Sequence, residues 1–192
     1  MVGKRAKILS PDHIEDLLVF ARQTRYPTRN QALVLLSVKA GLRAGEIANL
    51  TWPMLAEPTG EIASSLELQD RAAKKRSGRV IPIHPELRAA LIKLARPNQV
   101  LDGPVIRSER GGPMTSIGIV CWFANAFRSI GLQGCSSHSG RRTFITRAAR
   151  LVHHAGASLR DVQLLAGHRS IQTTQRYIDG DTDALRKLVS LI

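Results

Sequence analysis

Apolar residues recur every three or four positions along most of the chain, which is the spacing of an amphipathic α-helix. The first such stretch begins at Ser10-Pro11, where a capping residue precedes a proline, and it reaches about Thr24. Gly41 ends a second, densely apolar stretch. Helices are therefore predicted at residues 11–24, 31–40, 85–95, from a cap at 115 or 116 to 130, from a cap at 136 or 137 to 154, at 159–166, at 170–178 and from 183 onward, with a short one between 41 and 50.

The period shortens between about residues 60 and 83. Residues 61–69 partly alternate between apolar and polar side chains, and residues 79–83 are rich in β-branched side chains. A basic segment at residues 71–78 joins these two stretches. The pattern predicts a β-hairpin with a basic tip, and hence a mixed α+β fold that is mostly α-helical with a small antiparallel β-sheet.

Length and composition indicate an ordinary globular chain. Its 192 residues are 43% hydrophobic, which suits one domain with a real core, and the absence of internal repeats argues against a second domain. The sequence has no run of about 18 apolar residues, and its basic start lacks the apolar stretch of a secretory signal. We therefore expect a cytoplasmic protein without a membrane partner, in which Cys121 and Cys135 are reduced and bind no metal.

The net charge is the unusual property of this composition. Lysine and arginine total 28 against 15 acidic residues, which gives a formal net charge of +13 and a sequence pI near 11.0. Such an excess favours a polyanionic partner. A basic protein without a special ligand is the alternative, whereas a membrane-surface helix is disfavoured because the positive residues are spread along the whole chain.

The last third of the sequence concentrates chemically useful side chains. His138 and Arg141 are three positions apart in a predicted helix, so both can share one face. His168 follows Gly167, and Tyr177 stands nine positions after His168. A phenol can attack a phosphodiester while a guanidinium and imidazoles hold the phosphate oxygens or move a proton. Each residue alone also has an ordinary explanation, such as a core tyrosine or a histidine at a helix start.

Arg43 adds a cation between apolar segments, where an unpaired guanidinium would be costly. Glu46 stands three positions later, so a purely structural ion pair is the alternative to a functional role. The basic hairpin tip is likewise either a solvated loop or a phosphate contact. His153-His154 has no acidic or cysteine partner at ligand spacing, so we expect no metal site there.

Several sequence blocks together resemble the tyrosine recombinases, the phage-type integrases. One resembles the block that bears the family's first catalytic arginine, a second resembles its His-x-x-Arg block, and a third its closing block. In this order they are Gly41-Leu42-Arg43-Ala44-Gly45-Glu46, His138-Ser139-Gly140-Arg141, and Gly167-His168 with Tyr177 nine positions later. The order and spacing of the whole set carry the resemblance, because each block alone is weak.

A fourth block concerns the family's catalytic lysine, which lies in a hairpin tip eight residues before a strand proline. Arg79-Val80-Ile81-Pro82 resembles that strand, so the count gives Lys74. Lys75 is the neighbouring candidate, and the sequence does not decide between them.

The resemblance implies a role for each residue of the site. Tyr177 would form a 3′-phosphotyrosyl link and free a 5′-hydroxyl, and Glu46 would orient Arg43. Cations would take the place of a divalent metal and the covalent link would conserve the bond energy, so neither a metal, ATP nor another cofactor is expected. The implied catalytic residues are Arg43, Lys74, His138, Arg141, His168 and Tyr177, and the implied DNA contacts are Lys75, Arg76 and Arg142.

The match covers roughly residues 30–192 and implies the tyrosine recombinase catalytic-domain fold. We expect a single domain with an N-terminal extension at 1–25, a catalytic core at 26–180 and a C-terminal helix at 181–192. That helix would pack either on its own domain or on a neighbouring protomer in a homo-oligomer on double-stranded DNA. Longer family members carry a DNA-clamping domain before this region, so an accessory protein could supply that clamp here.

Two alternatives stay open at this point. Residues 159–177 also resemble two short helices around a glycine turn, so the chain could be a non-catalytic, basic DNA-binding regulator. Base readout needs neither a phenol nor a set of phosphate-holding cations, which favours the enzyme. A type IB topoisomerase-like enzyme would relax DNA with the same chemistry and without strand exchange. The sequence names no target site.

Overall fold

The computed structural model describes residues 6–73, 78–95, 101–177, 189–190 and 192. The chain divides into two compact units, unit 1 (Met1–Phe144) and unit 2 (Ile145–Ile192). The described residues are mostly helical, with a two-stranded antiparallel sheet, which confirms the predicted fold class. The predicted organisation into one domain with an N-terminal extension and a C-terminal helix stays a prediction.

The elements follow one another in the order that the sequence predicts. They are α1 (Pro11–Arg22), α2 (Pro27–Lys39), α3 (Ala44–Ala48), a 3₁₀ turn (Trp52–Met54), β1 (Ser65–Leu68), β2 (Arg79–Pro82), α4 (Pro85–Leu94), α5 (Ser116–Ser129), α6 (Ser139–Leu151), α7 (Leu159–Ala166) and α8 (Ile171–Gln175). The boundary between the two units falls within α6.

The first two helices begin and end at local sequence signals. The Ser10 hydroxyl accepts a hydrogen bond from the His13 backbone N–H at 3.1 Å, which caps α1. α2 begins at Pro27 rather than at the predicted residue 31, because proline is already set for the first helical position. After α2, Gly41 adopts a φ of 63°, a left-handed conformation without steric cost for glycine.

The hairpin confirms the predicted strands. Leu66 of β1 lies opposite Ile81 of β2, and Leu68 lies opposite Arg79. Leu66, Leu68 and Ile81 are buried, whereas the intervening Val80 is 60% exposed. Because side chains alternate along a strand, Arg79 lies on the same inner face as Ile81.

α2 is the central helix of unit 1. It packs against α1 and α4, while α3 packs against α5. Nearly every residue of α2 from Asn30 to Val38 is buried, as expected for a helix that is apolar on most of its circumference. Ser37 is fully buried and lies where a side chain on Gly140 of α6 would have to be, so the two backbones approach closely.

Unit 2 places α7 and α8 on either side of a glycine turn. Asp161 accepts hydrogen bonds from the Ser158 backbone N–H (2.8 Å) and hydroxyl (2.7 Å), which fixes the first turn of α7. Gly167 ends α7 with a φ of 63°, and α7 packs against α8. α6 ends at Leu151, before the predicted residue 154, since the following residues form turns that include Gly156 with a φ of 62°.

Two predicted segments cannot be compared with the structure. Residues 74–77 of the hairpin tip lie outside the described residues, as do residues 181–188 and 191 of the predicted C-terminal helix segment. Among the residues that the structure does describe, none of the helices is long and apolar enough to cross a membrane.

Candidate active site

A buried carboxylate in unit 1 gathers arginines from three elements. Glu46 of α3 is 1% exposed. Arg43 donates Nη1 to its Oε1 at 2.7 Å, and Arg79 of β2 donates Nη1 to Oε1 and Nη2 to Oε2, both at 3.1 Å. Nη1 of Arg141, in α6, lies 4.0 Å from Oε2. The structure therefore brings the predicted residues Arg43, Glu46 and Arg141 together and adds Arg79.

The turn after α2 holds both of the predicted catalytic arginines. The backbone N–H of Arg43 donates to Oε2 of Glu46 at 2.9 Å as α3 begins. Two residues before Arg43, the Gly41 carbonyl accepts Nη1 of Arg141 at 2.7 Å. The Phe144 ring occupies the space that a side chain on Gly41 would need. This close packing fixes the backbone from which Arg43 projects.

Glu46 is ionised at neutral pH in this cluster. Burial raises the pKa of a carboxyl, but hydrogen bonds and charge from Arg79, followed by those from Arg43, outweigh it and lower the pKa of Glu46 to about 2. A carboxylate that stays charged is a lasting acceptor for both guanidinium groups.

Arg43 keeps donors for a ligand. Its side chain is 28% exposed, against 6% for Arg79 and 3% for Arg141. Its Nη1 binds Glu46, and in the part of the chain that the structure describes, its Nε and Nη2 atoms make no hydrogen bond. Arg43 is thus the guanidinium of this cluster that is most open to an anion.

His138 lies just before α6 rather than in its first turn, because the helix begins at Ser139. Its backbone N–H donates to the Ser136 hydroxyl at 3.3 Å, and the residue is exposed. Arg142 donates Nη1 to the Ala6 carbonyl at 2.9 Å, and its buried Nε has no partner among the described residues. One nitrogen atom of Arg142 is thus engaged within unit 1, and its contact with DNA stays a prediction.

Unit 2 brings two further predicted residues together. The His168 ring stacks on the Tyr177 ring with centroids 5.4 Å apart and an interplanar angle of 26°. Nδ1 of His168 lies 3.0 Å from the buried Thr174 hydroxyl, and buried Gln163 donates Nε2 to the His168 carbonyl at 2.9 Å. The imidazole is therefore fixed through its ring and through its backbone.

Tyr177 is half-buried, two residues after the end of α8. Its carbonyl accepts a hydrogen bond from the Thr146 hydroxyl at 3.3 Å. Its phenol hydroxyl makes no hydrogen bond with any described residue. The backbone and ring of Tyr177 are held while the oxygen that would react stays open.

The sequence reasoning missed Arg79 and Thr174. A signal for Arg79 existed, since a charged residue on the inner face of a strand needs a buried partner. Thr174 gave no such signal, because a threonine in a short helix has many ordinary roles. The predicted residues Lys74, Lys75 and Arg76 lie outside the described residues.

A cleft of about 860 Å³ lies elsewhere in unit 1 and contains no predicted catalytic residue; its lining includes Arg25, Tyr26, Arg29, Lys93 and Arg107. Several of its cations already bind within the unit. Arg29 donates Nη1 to the Arg107 carbonyl at 3.1 Å, and Arg25 lies 3.5 Å from Glu109. Because the predicted residues Arg43, Glu46 and Arg141 lie at the arginine cluster and none of them lines the cleft, we place the candidate site at the cluster. Across the described ranges, no three histidine, cysteine, aspartate or glutamate residues are grouped to hold a metal ion.

Residues 7–183 match the model of the phage integrase family. The chain belongs to this family. Among curated relatives of the phage integrase type, it is 29% identical over 161 residues to the tyrosine recombinase XerC of Brucella suis biovar 1 (strain 1330), covering 82% of this chain and 48% of that protein. It is 31% identical over 157 residues to XerC of Lactobacillus delbrueckii subsp. bulgaricus (strain ATCC BAA-365 / Lb-18), covering 78% of this chain and 50% of that protein.

Solved structures of phage-integrase type share the fold. The crystal structure of XerA recombinase aligns with a TM-score of 0.74 at 23% identity and covers all of this chain and 65% of that one. A lambda integrase dimer bound to a COC′ core site aligns with a TM-score of 0.67 at 21% identity, over 93% of this chain and 49% of that one. The chain thus has the catalytic-domain fold of the family, and it spans about half the length of the curated relatives it matches.

Proposed function

We propose that the protein is a tyrosine-type DNA strand-transferase, a site-specific recombinase or integrase that cleaves and rejoins double-stranded DNA. The observation that carries the proposal is the Arg43–Glu46 pair, in which an ionised, buried carboxylate holds a guanidinium by one nitrogen atom. The other donors of Arg43 suit an oxyanion with several acceptors, such as a phosphodiester. The net charge of +13 supports a polyanionic substrate.

The arginines would act on the non-bridging phosphate oxygens. Negative charge builds up on these oxygens as the phosphorus becomes pentavalent, so preorganised cations stabilise the transition state more than the ground state. Arg43 and Arg141 are the residues that we assign to this role. His138 and His168 would complete the contacts and assist proton transfer.

Tyr177 would be the nucleophile. Its hydroxyl oxygen forms a bond to the scissile phosphorus and passes its proton to an imidazole of the site, His138 or His168, while the bond from phosphorus to the 5′-oxygen breaks and that oxygen takes up a proton. The products are a 3′-phosphotyrosyl link and a free 5′-hydroxyl. A phosphodiester is exchanged for a phosphodiester, so the reverse reaction with a 5′-hydroxyl rejoins a strand without a nucleotide cofactor. The open hydroxyl of Tyr177 supports this role.

Lys74 would donate a proton to the leaving 5′-oxygen. This assignment depends on the sequence spacing alone, and Lys75 is the alternative. Lys75, Arg76 and Arg142 would contact the DNA backbone.

The partners are also part of the proposal. Double-stranded DNA is the proposed substrate, and a homo-oligomer would assemble on it through the C-terminal helix at residues 181–192. The Tn1549 transposon integrase, solved in complex with transposon right end DNA, shares the fold with a TM-score of 0.72 at 21% identity, which supports DNA as the partner. An accessory protein could supply a DNA clamp.

The test is a search for the covalent intermediate. Purified protein is incubated with supercoiled plasmid without added metal or nucleotide, denatured, and analysed for protein that migrates with DNA. The proposal predicts a denaturant-resistant adduct and exchange between two plasmids. A regulator would give neither product, and a topoisomerase-like enzyme would relax the plasmid without exchange. If no adduct forms with the supercoiled plasmid, the proposal that the protein is an enzyme is rejected.

A further inference from the structure

The Glu46 carboxylate has a second partner besides the one expected from sequence. Arg79 donates two parallel hydrogen bonds to its two oxygen atoms, both at 3.1 Å. Arg43 reaches only Oε1 with its side chain, at 2.7 Å. The fork of Arg79 and the backbone N–H of Arg43, which donates to Oε2 at 2.9 Å, together fix the plane of the carboxylate.

Arg79 is placed to orient other groups rather than to touch DNA. Its side chain is 6% exposed, on the inner face of the hairpin, and Glu46 is 1% exposed. Arg43, on the other side of the same carboxylate, is 28% exposed. The contacts therefore run from a buried arginine through a buried carboxylate to an accessible arginine.

We propose that Arg79 is a positioning residue for DNA cleavage, which acts through Glu46 to fix the guanidinium of Arg43. The inference rests on the proposed function and adds a residue to its machinery. It also gives a reason for the contact between the hairpin and α3. Arg79, the first residue of β2, binds the carboxylate of Glu46 in the first turn of α3.

The primary experiment compares rates of adduct formation in a single turnover. Arg79→Gln should slow this step by about 10–100-fold, as misplacement of a catalytic group does, while the Kd for DNA stays nearly unchanged. Arg79→Lys keeps the charge and loses the fork, so it should recover part of the rate. The matched control is Arg88→Gln, because Arg88 donates to the Ile62 carbonyl at 2.8 Å and 3.2 Å and does not contact Glu46. An equal loss of rate in Arg88→Gln would overturn the proposal.

A double-variant comparison tests whether Arg79 acts through Glu46. If it does, Arg79→Gln combined with Glu46→Gln should cleave no more slowly than Glu46→Gln alone. A rate equal to the product of the two separate losses would overturn the inference. The double variant also leaves no buried carboxylate without its partner, so it keeps the comparison usable if Arg79→Gln alone fails to fold.

A substrate with sulfur at the 5′ bridging position separates the two sides of the reaction. Thiolate leaves without a proton, so this substrate relieves the loss of a general acid and not the loss of phosphate clamping. Arg79→Gln should stay slow on it. Full recovery would assign Arg79 to the leaving group and overturn the proposed path through Arg43.

The coupling is measurable without DNA, so its failure differs from failure of the proposed function. Glu46 faces Arg43 of α3, Arg79 of β2 and Arg141 of α6. Loss of Arg79 leaves the burial of Glu46 less compensated, so the folded pKa of Glu46 should rise toward its ordinary value, and Tm should fall less between about pH 4.5 and pH 2 than in the wild type. An unchanged pH dependence of Tm would overturn the inference, whereas a wild-type chain that forms no DNA adduct would overturn only the proposed function.

Discussion

At the residue scale, Tyr177 and Arg43 are held in similar ways. Contacts fix one part of each residue, and the atoms proposed to react stay open. The Tyr177 ring stacks on His168 and its carbonyl is anchored by Thr146. Arg43 is held through Nη1 by Glu46. Such preorganisation reduces the rearrangement needed when a phosphodiester arrives, without using the atoms that meet it.

Tyr177→Phe should abolish covalent adducts with DNA and leave the Kd nearly unchanged, since the variant loses only the hydroxyl. The measurement is denaturing electrophoresis beside an equilibrium binding titration. Tyr26→Phe is the matched control, because Tyr26 is the other tyrosine of the chain and its ring contacts the Arg25 and Arg29 guanidinium groups. Adducts that persist in Tyr177→Phe would reassign the nucleophile.

Glu46 should make the folded state sensitive to acid. Its folded pKa, about 2, lies below its ordinary value of 4.5, so the stabilisation is complete above about pH 4.5 and is lost as pH falls toward 2. The shift corresponds to roughly 3 kcal/mol in the free energy of unfolding. Urea titrations between pH 6 and pH 2 should show this loss in the wild type and a shallower pH dependence in Glu46→Gln. Parallel curves would contradict the assignment.

Lys74→Ala should slow cleavage by roughly 10²–10⁴-fold if Lys74 is the general acid. A substrate with sulfur in place of the 5′ bridging oxygen should restore most of that rate. Lys75→Ala and Arg76→Ala should instead weaken binding with a shallower salt dependence, and sulfur should not rescue them. Rescue of Lys75→Ala would move the assignment by one residue.

How far a contact could be predicted from sequence depends on its separation along the chain. Arg43 and Glu46 are three positions apart, so local helix geometry was enough to pair them. Arg79 lies 33 positions from Glu46, and only the packing of the hairpin brings the two together. The contact between Thr174 and His168 likewise depends on the turn at Gly167. The periodicity of the sequence does not predict which side chains this turn brings together.

Close packing between helices matters most at the element scale. Gly140 of α6 lies against Ser37 of α2, and a methyl group there would overlap the Ser37 hydroxyl and press on Val38. The Ser37 hydroxyl itself has no hydrogen-bond partner among the described residues. Its oxygen atom therefore occupies space without a compensating polar contact.

Gly140→Ala should lower the free energy of unfolding by about 1–3 kcal/mol through overpacking. Adding Ser37→Ala should recover part of this loss, because it removes the overlapping oxygen atom. Gly45→Ala is the control, since a methyl group there would meet no described atom within 4 Å and alanine favours the helical conformation of α3. Chemical denaturation measures all of these variants, and an unaffected Gly140→Ala would contradict the packing.

Element positions were predictable where capping and strand alternation are local. Ser10 and Thr115 both cap the helices expected from them. The predicted start of α2 lies too late because polar Thr28, Arg29 and Asn30 hide the first helical turn, although Pro27 marks it. The predicted end of α6 lies too late because residues beyond Leu151 continue the sequence pattern into a turn.

The charge is a property of the whole molecule. With a net +13 and no base-specific contact implied by the sequence, binding to duplex DNA should depend mainly on phosphate contacts. Since such contacts carry little base information, the target site could not be predicted from these residues.

Affinity for a random-sequence duplex should fall by about 10³-fold between 50 mM and 200 mM salt if about six phosphates are contacted. Fluorescence anisotropy with a labelled duplex measures this slope. An affinity that does not change with salt would mean that the positive charge is not used for DNA. Tyr177→Phe should show the same slope as the wild type, because the hydroxyl carries no charge.

The stretch from Gly41 to Arg43 has a fixed length as well as a fixed chemistry. Its first residue supplies the carbonyl that binds Arg141, and its last carries the other guanidinium. One inserted residue would lengthen this stretch by about 3.8 Å, which no side-chain adjustment at Leu42 could absorb. When a library of in-frame insertion variants is selected for activity, insertions between Gly41 and Arg43 should be lost first. Insertions in the exposed loop at residues 57–60 should persist. The Gly-Leu-Arg motif therefore sets the distance between the carbonyl that binds Arg141 and the guanidinium of Arg43, as well as supplying both groups.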